Sequence, residues 1–188
     1  MRLSTATESV LSAFKQSAEP IGSAEQVVRN YEALLAEYAG AIRRLAGAYT
    51  ATGGDQDDLF QEIAIAIWQA LPQFRRECSE RTFVYRIAHN CAITFVSRKR
   101  VQTTSLETEM ESVDFRPNPE TQVSQGQQRP HLLKAVNRLP VPYRQVITLA
   151  LEGLEYAEIA EVLGIGESNV GVRLSRARKL LRDLLENN

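Results

Sequence analysis

Apolar residues recur at three- and four-residue intervals over most of this chain, and no segment alternates like a strand. Val27, Tyr31, Leu34, Leu35, Tyr38, Ile42 and Leu45 trace one face of a helix, which Ser23 can N-cap and Thr52-Gly53-Gly54 ends. A second helix, with Asp55 as its cap, carries Leu59, Phe60, Ile63, Ile67 and Trp68 until Pro72 stops it. Gln73–Glu80 is short, polar and basic, and reads as a loop. A third helix, from Arg81 to about Arg100, carries Phe83, Val84, Ile87, Ala88, Cys91 and Phe95.

The periodicity lapses from Val101 to Gln128, where Thr, Ser, Gln, Glu, Pro117 and Pro119 predict an extended acidic linker. Helicity resumes after Pro130 through Leu132, Leu133, Val136 and Leu139. Pro140 and Pro142 set that helix off from Tyr143–Glu152, which Gly153 ends. Tyr156–Leu185 then reads as helix, turn, helix, with Ile159, Ala160, Leu163, Ile165, Val170 and Leu174 apolar. Gly164 can take the positive φ that ends the first helix, and the small Ala160 lets the pair cross closely. Arg173, Arg176, Arg178, Lys179 and Arg182 follow the turn, too many basic residues to serve packing alone. This is the helix-turn-helix pattern, and it points to DNA.

The expected fold is therefore all-α, with two small helical domains joined by a flexible linker. The first spans 23–100, the linker 101–129 and the second 130–188. The N-terminal stretch 1–22 is expected to be a flexible extension with no assigned function.

Composition adds boundaries. Over 188 residues, 44% are hydrophobic and 24% charged, as in ordinary globular proteins. A formal net charge of −1 means that any nucleic-acid surface must be local. Basic residues do cluster, in Arg75–Arg100 and Arg173–Arg182, against acidic Asp55–Glu62 and Glu107–Glu120. Cys78 and Cys91 lack metal-ligand spacing and read as reduced thiols of a cytoplasmic protein. No apolar run approaches membrane-span length, so no membrane insertion is expected, and the N-terminus lacks the apolar stretch of a signal peptide.

Catalysis finds no support. His89 and His131 are isolated, and neither a Gly-rich phosphate loop nor a nucleophile motif occurs. Carboxylates such as Asp57, Asp58 and Glu62 at a helix start complement the macrodipole or face water, so neither metal nor cofactor is expected. The run Leu59–Trp68 is apolar on more than one face. It is either a central core helix or one that packs on its own domain and on a partner. Phe74, Arg75, Arg76, Arg81, Phe83, Arg86 and Arg98-Lys99-Arg100 interleave cations with aromatics. That mixture suits melted nucleic acid, with a solvated charged face as the alternative.

Two blocks of residues, in order, resemble a known family. Asp57-Asp58-Leu59-Phe60-Gln61-Glu62 through Trp68, Leu71-Pro72-Gln73-Phe74-Arg75 and Thr82-Phe83-Val84-Tyr85-Arg86-Ile87-Ala88-His89-Asn90 resemble region 2 of bacterial extracytoplasmic-function (ECF) sigma factors of the sigma-70 family. Leu139-Pro140 through Tyr143-Arg144, then Tyr156-Ala157-Glu158-Ile159-Ala160 through Leu174-Ser175-Arg176-Ala177-Arg178, resemble their region 4.

The resemblance implies a transcription initiation factor without catalytic activity that gives core RNA polymerase its promoter specificity. Asp58, Gln61, Glu62 and Trp68 match positions that dock on the β′ clamp helices, and region 4 implies a contact with the β flap. Phe74, Arg75, Thr82, Phe83, Tyr85, Arg86 and Asn90 match positions that open the −10 element and capture a flipped base, with Arg98, Lys99 and Arg100 on the duplex upstream. Glu167, Ser168, Asn169 and Arg173 match base-edge and nearby phosphate contacts at the −35 element, and Arg176 and Lys179 phosphate contacts. An anti-sigma factor is a common partner in the family.

The sequence departs from the family pattern in two places. Phe83 stands where the family often has a Trp wedge, and Gly171 where a basic residue is frequent. A mid-helix glycine costs about 1 kcal/mol against alanine; it either permits close approach to DNA or removes one contact. A free-standing helix-turn-helix regulator is the alternative reading, and would bind DNA without polymerase. A helical interaction adaptor would give no salt-sensitive DNA binding.

Overall fold

The computed structural model describes residues 24–106 and 128–186, and these form seven α-helices with no strand among them. Helix α1, Ala24–Tyr49, buries Leu34, Ile42, Leu45, Ala46 and Tyr49. Ser23, expected as its cap, lies outside the described residues, as does the 1–22 extension.

Helix α2, Gly53–Ala70, starts two residues before the expected cap Asp55. Thr52 caps it instead, with extended backbone (φ −119°, ψ 156°) and a hydroxyl that accepts the Asp55 N–H at 3.1 Å. Gly53 and Gly54 thus open the helix rather than separate it from α1. The Asp55 carboxylate is left free to pair with Lys99. Lys99 and Thr52 together hold the Asp55 carboxyl below the usual range. A single 3-10 turn, Leu71–Gln73, follows around Pro72.

Helix α3 runs Glu80–Leu106, beyond the expected end at Arg100. Residues 101–106 contain neither Gly nor Pro, so nothing stops the backbone where the apolar period fades. The rest of the predicted linker, up to Gly126 and Gln127, lies outside the described residues. Helix α4, Gln128–Asn137, places Pro130 in its first turn, and α5, Val141–Leu151, does the same with Pro142. Gly153 takes φ +76° after α5. Helix α6, Tyr156–Leu163, ends at Gly164 with φ +65°, the left-handed turn expected there, and α7 spans Glu167–Glu186.

Helices α1, α2 and α3 pack on one another, as do α5, α6 and α7. The two groups also meet directly. Helix α4 lies on α1 and α7, α5 touches α1 and α3, and α6 lies on α3. One continuous core runs from Ile42, Leu59, Ile67 and Phe83 to Leu139, Leu149, Ile159 and Leu174.

Candidate nucleic-acid interface

On α2, Asp58, Gln61, Glu62, Ile65 and Trp68 recur at three- and four-residue steps and so share one face. Ile65 is 52% and Trp68 40% exposed, unusual for such large apolar groups. Trp68 is held by the Tyr31 ring, edge-on at 5.0 Å, and the Tyr31 hydroxyl donates to the Ala64 carbonyl at 3.3 Å. Ile65 escaped the sequence-based set. Its signal was the apolar surplus in Leu59–Trp68, which a single buried face cannot absorb. Glu62 accepts from Arg98 at 2.5 Å.

The loop before α3 and its first turns bring the candidate −10 residues together, but at different depths. Ser79 caps α3, its Oγ accepting the Thr82 N–H at 3.0 Å. Phe83 is only 1% exposed and stacks on buried Phe74, ring centroids 4.4 Å apart. Phe83 is therefore no projecting wedge. It falls on the α3 stripe Phe83, Val84, Ile87, Ala88, Cys91 and Phe95, which faces the core. Thr82 and Tyr85 are also buried. Burial and the Glu152 carboxylate push the Tyr85 phenol up to about 12. Arg86 and Asn90 are half-buried, and Arg75, Arg98, Lys99 and Arg100 are exposed. Arg76 in this loop has φ +59°, a left-handed backbone on a residue with a full side chain. Arg98 and Lys99 lie over the Phe95 ring at 5.4 and 5.7 Å.

Deeper in α3, His89 is fully buried, with Nδ1 3.1 Å from the Tyr49 hydroxyl and Nε2 without a partner. Burial alone drives its pKa down to about 3, so it is a neutral core residue.

On α7, Val170, Leu174, Ala177 and Leu181 face the core, leaving Glu167, Ser168, Asn169, Arg176 and Lys179 exposed. Half-buried Arg173 donates from Nε to Asn169 Oδ1 at 2.9 Å. Val172, 51% exposed between Ser168 and Arg176, was missed because an apolar residue in a helix reads as core. A Cβ on Gly171 would sit 3.6 Å from the Tyr156 ring, an ordinary contact, so this glycine adjoins α6.

Polar contacts tie the two helix groups. Arg44 grips the Glu152 carboxylate with two hydrogen bonds of 2.7 and 2.6 Å. Asn137 donates to the Thr50 carbonyl at 2.6 Å. Arg144, buried over the Tyr49 ring, donates to the carbonyls of Asn137 and Leu139. Around the start of α3, Arg81, Thr82 and Arg86 all reach α6 or the turn between α5 and α6.

Residues 34–101 match the Sigma-70 region 2 family model, and residues 131–181 match Sigma-70, region 4. The ECF RNA polymerase sigma-E factor of Escherichia coli (strain K12) is 30% identical over 161 residues, 80% of this chain and 84% of the relative. The chain belongs to the ECF family of RNA polymerase sigma factors. ECF RNA polymerase sigma factor SigE of Mycolicibacterium smegmatis is 28% identical over 179 residues, 90% of this chain and 69% of the relative. Two solved structures share the sigma-factor fold at 22% identity. The sigma factor RpoE in complex with the anti-sigma factor NepR, from Bartonella quintana, covers 84% of this chain and 98% of its own at a TM-score of 0.63. CnrH in complex with the cytosolic domain of CnrY covers 97% and 98% at 0.62.

Region 2 of this sigma factor thus includes most of α1, all of α2 and much of α3, and region 4 most of α4–α7. Among the described residues no helix is long and apolar enough to cross a membrane, and no cluster of His, Cys, Asp and Glu could hold a metal ion.

Proposed function

We propose that this sigma factor divides promoter recognition among three helices: α2 docks on core RNA polymerase, α3 holds the melted −10 element, and α7 reads the −35 element. The supporting observation is the α2 face. Asp58, Gln61 and Glu62 surround exposed Ile65 and Trp68, the mixture of charge and exposed apolar surface that a protein interface needs. The β′ clamp helices are its partner, with the β flap receiving region 4.

At the −10 element, Arg75, Arg86 and Asn90 contact DNA directly, while the stacked Phe74 and Phe83 form the rigid floor of the pocket. Thr82 and Tyr85 line its wall once α6 is out of the way. Extruding a base costs a few kcal/mol, which a preformed pocket on a rigid helix recovers through stacking and hydrogen bonds. Arg98, Lys99 and Arg100 hold the duplex just upstream.

On α7, Glu167, Ser168, Asn169 and Arg173 approach base edges, and Arg176 and Lys179 hold phosphates. The protein works in the cytoplasm without catalysis, cofactor or metal. Its partners are core polymerase, promoter DNA and an antagonist of the anti-sigma kind. Mixed with core polymerase, it should direct run-off transcription from a cognate promoter. Failure to bind core at all would sink this reading.

A further inference from the structure

Trp68 is the largest apolar side chain exposed on the α2 face, with 40% of its surface open. A tryptophan on an exposed helix face has several staggered rotamers open to it. An interface that accepts only one of them must meet the cost of ordering the ring. Here the ring has a neighbour. Tyr31 of α1 sets its own ring against the indole, 5.0 Å between centroids and 78° between planes, the edge-to-face arrangement that aromatic quadrupoles favour.

Tyr31 is itself fixed to the helix that carries Trp68. Its hydroxyl donates to the Ala64 carbonyl at 3.3 Å. Helix geometry gives that same carbonyl the Trp68 backbone N–H, and its second lone pair is open to Tyr31. Tyr31 thus touches Trp68 at the ring and is anchored one turn earlier on the same helix. The hydrogen bond is long, so the ring contact carries more of the brace than the hydroxyl does. Toward the other end of α2, Gln56 Nε2 donates to the Arg43 carbonyl at 2.8 Å, and the Arg43 guanidinium lies 4.3 Å over the Phe60 ring. Helices α1 and α2 are therefore clamped at both ends, and Tyr31 keeps its station beside Trp68. The region 2 match begins at residue 34, and Tyr31 stands ahead of it.

We propose that Tyr31 is a positioning residue for polymerase docking: its ring holds the Trp68 indole in the rotamer that core RNA polymerase receives. This rests on the assignment of α2 to polymerase. Tyr31 acts through Trp68 and needs no contact with the partner, because the ring is ordered when the sigma factor folds and not when it docks.

Trp68 is the single tryptophan of the chain, so fluorescence excited beyond the tyrosine band reports on this ring alone in the free protein. The test uses the full chain with Tyr31→Leu, Tyr31→Phe, Trp68→Ala and the double variant Tyr31→Leu/Trp68→Ala. Leucine keeps apolar packing without an aromatic edge, and Tyr31→Met takes its place if circular dichroism shows the leucine variant unfolded. Time-resolved anisotropy reads the local motion of Trp68. Titration of core polymerase into terminally labelled protein reads affinity. Tyr31→Leu should add a fast local component to the anisotropy decay and weaken core binding roughly two- to twelve-fold, the cost of ordering one large side chain. Tyr31→Phe should keep the slow decay and bind within about twofold of wild type, since it keeps the ring and loses only a long hydrogen bond. In the Trp68→Ala background, Tyr31→Leu should change affinity by less than about twofold, because no indole is left to position. A Tyr31 that served packing alone would weaken both backgrounds alike. Equal losses in both backgrounds, unchanged Trp68 motion, or a phenylalanine variant as weak as the leucine variant overturns the proposal. If Trp68→Ala binds core as wild type does, the docking role of Trp68 falls. If Trp68→Ala weakens binding and Tyr31→Leu does not, the positioning proposal falls alone.

Discussion

Arg98 on α3 and Glu62 on α2 meet at 2.5 Å, so a cation assigned to promoter DNA is tethered to a carboxylate assigned to polymerase. Both side chains are about two-fifths exposed, at 42% and 38%, and such a pair contributes at most about 1 kcal/mol to folding. Asp58 is exposed as well. Asp58→Ala with Glu62→Ala should therefore move the melting temperature by no more than a few degrees while abolishing core-polymerase binding. Thermal melts and a polymerase titration on the same preparations check this. A variant that binds core normally would remove α2 from the docking role.

His89 makes stability depend on pH. Its imidazole titrates near 6.5 in the unfolded chain and at about 3 when buried beside Tyr49. The unfolded state therefore binds the extra proton. The His89 contribution is complete above pH 6.5 and shrinks as pH falls toward 3, by up to about 1.4 kcal/mol per unit. Asp55, held below the usual range by Lys99 and Thr52, adds a loss in the same direction once pH falls below the ordinary carboxylate value of 3.8. Urea unfolding at pH 7.0, 6.0 and 5.0 should show this slope. His89→Phe should flatten it, whatever its effect on stability at pH 7.

Helices were legible because their apolar stripes and glycine stops were strong; Gly164 turns with φ +65° where a left-handed residue was expected. Caps were less so. Thr52 and Asp55 are both good cap residues; Thr52 takes the cap, while the Asp55 carboxylate pairs with Lys99, 44 positions away. The candidate sites were legible as residue types, not as depths. Phe83 among arginines suggests a surface aromatic, yet its place on the α3 stripe puts it in the core. The contact of α6 with α3 was illegible, because nothing in the sequence brings Glu158 and Glu161 opposite Arg81 and Arg86.

Burial of Phe83 sets its mutational profile. Phe83→Ala should destabilise the fold by about 3–5 kcal/mol, as for other large-to-small core changes, and strip the Phe74 ring of its stacking partner. Denaturant unfolding measures the first effect. A projecting wedge would instead tolerate alanine, with a change below about 0.5 kcal/mol.

The left-handed backbone at Arg76 is strained for a residue with a Cβ, and glycine relieves that strain. Arg76→Gly should raise stability or leave it unchanged, since the relief of about 1 kcal/mol opposes the greater freedom of an unfolded glycine. Arg76→Ala removes the same cation and keeps the strain. Comparing the two by urea unfolding isolates the backbone term, and Arg76→Gly should be at least as stable as Arg76→Ala.

Asn169 and Arg173 act as one unit on α7, because Asn169 Oδ1 accepts from Arg173 Nε at 2.9 Å and so fixes the direction of the guanidinium. Removing either should disturb the same base position. Asn169→Ala and Arg173→Ala should each change preference among −35 variants, with a double substitution costing less than the sum of the two. Arg176, exposed one turn further on and without an assigned base contact, should behave differently. Arg176→Ala should weaken all −35 sequences alike and reduce the salt slope by about 1. Binding of the polymerase complex to a panel of −35 variants at several salt concentrations decides the matter. If all three substitutions shift every sequence equally, α7 holds backbone rather than reading bases.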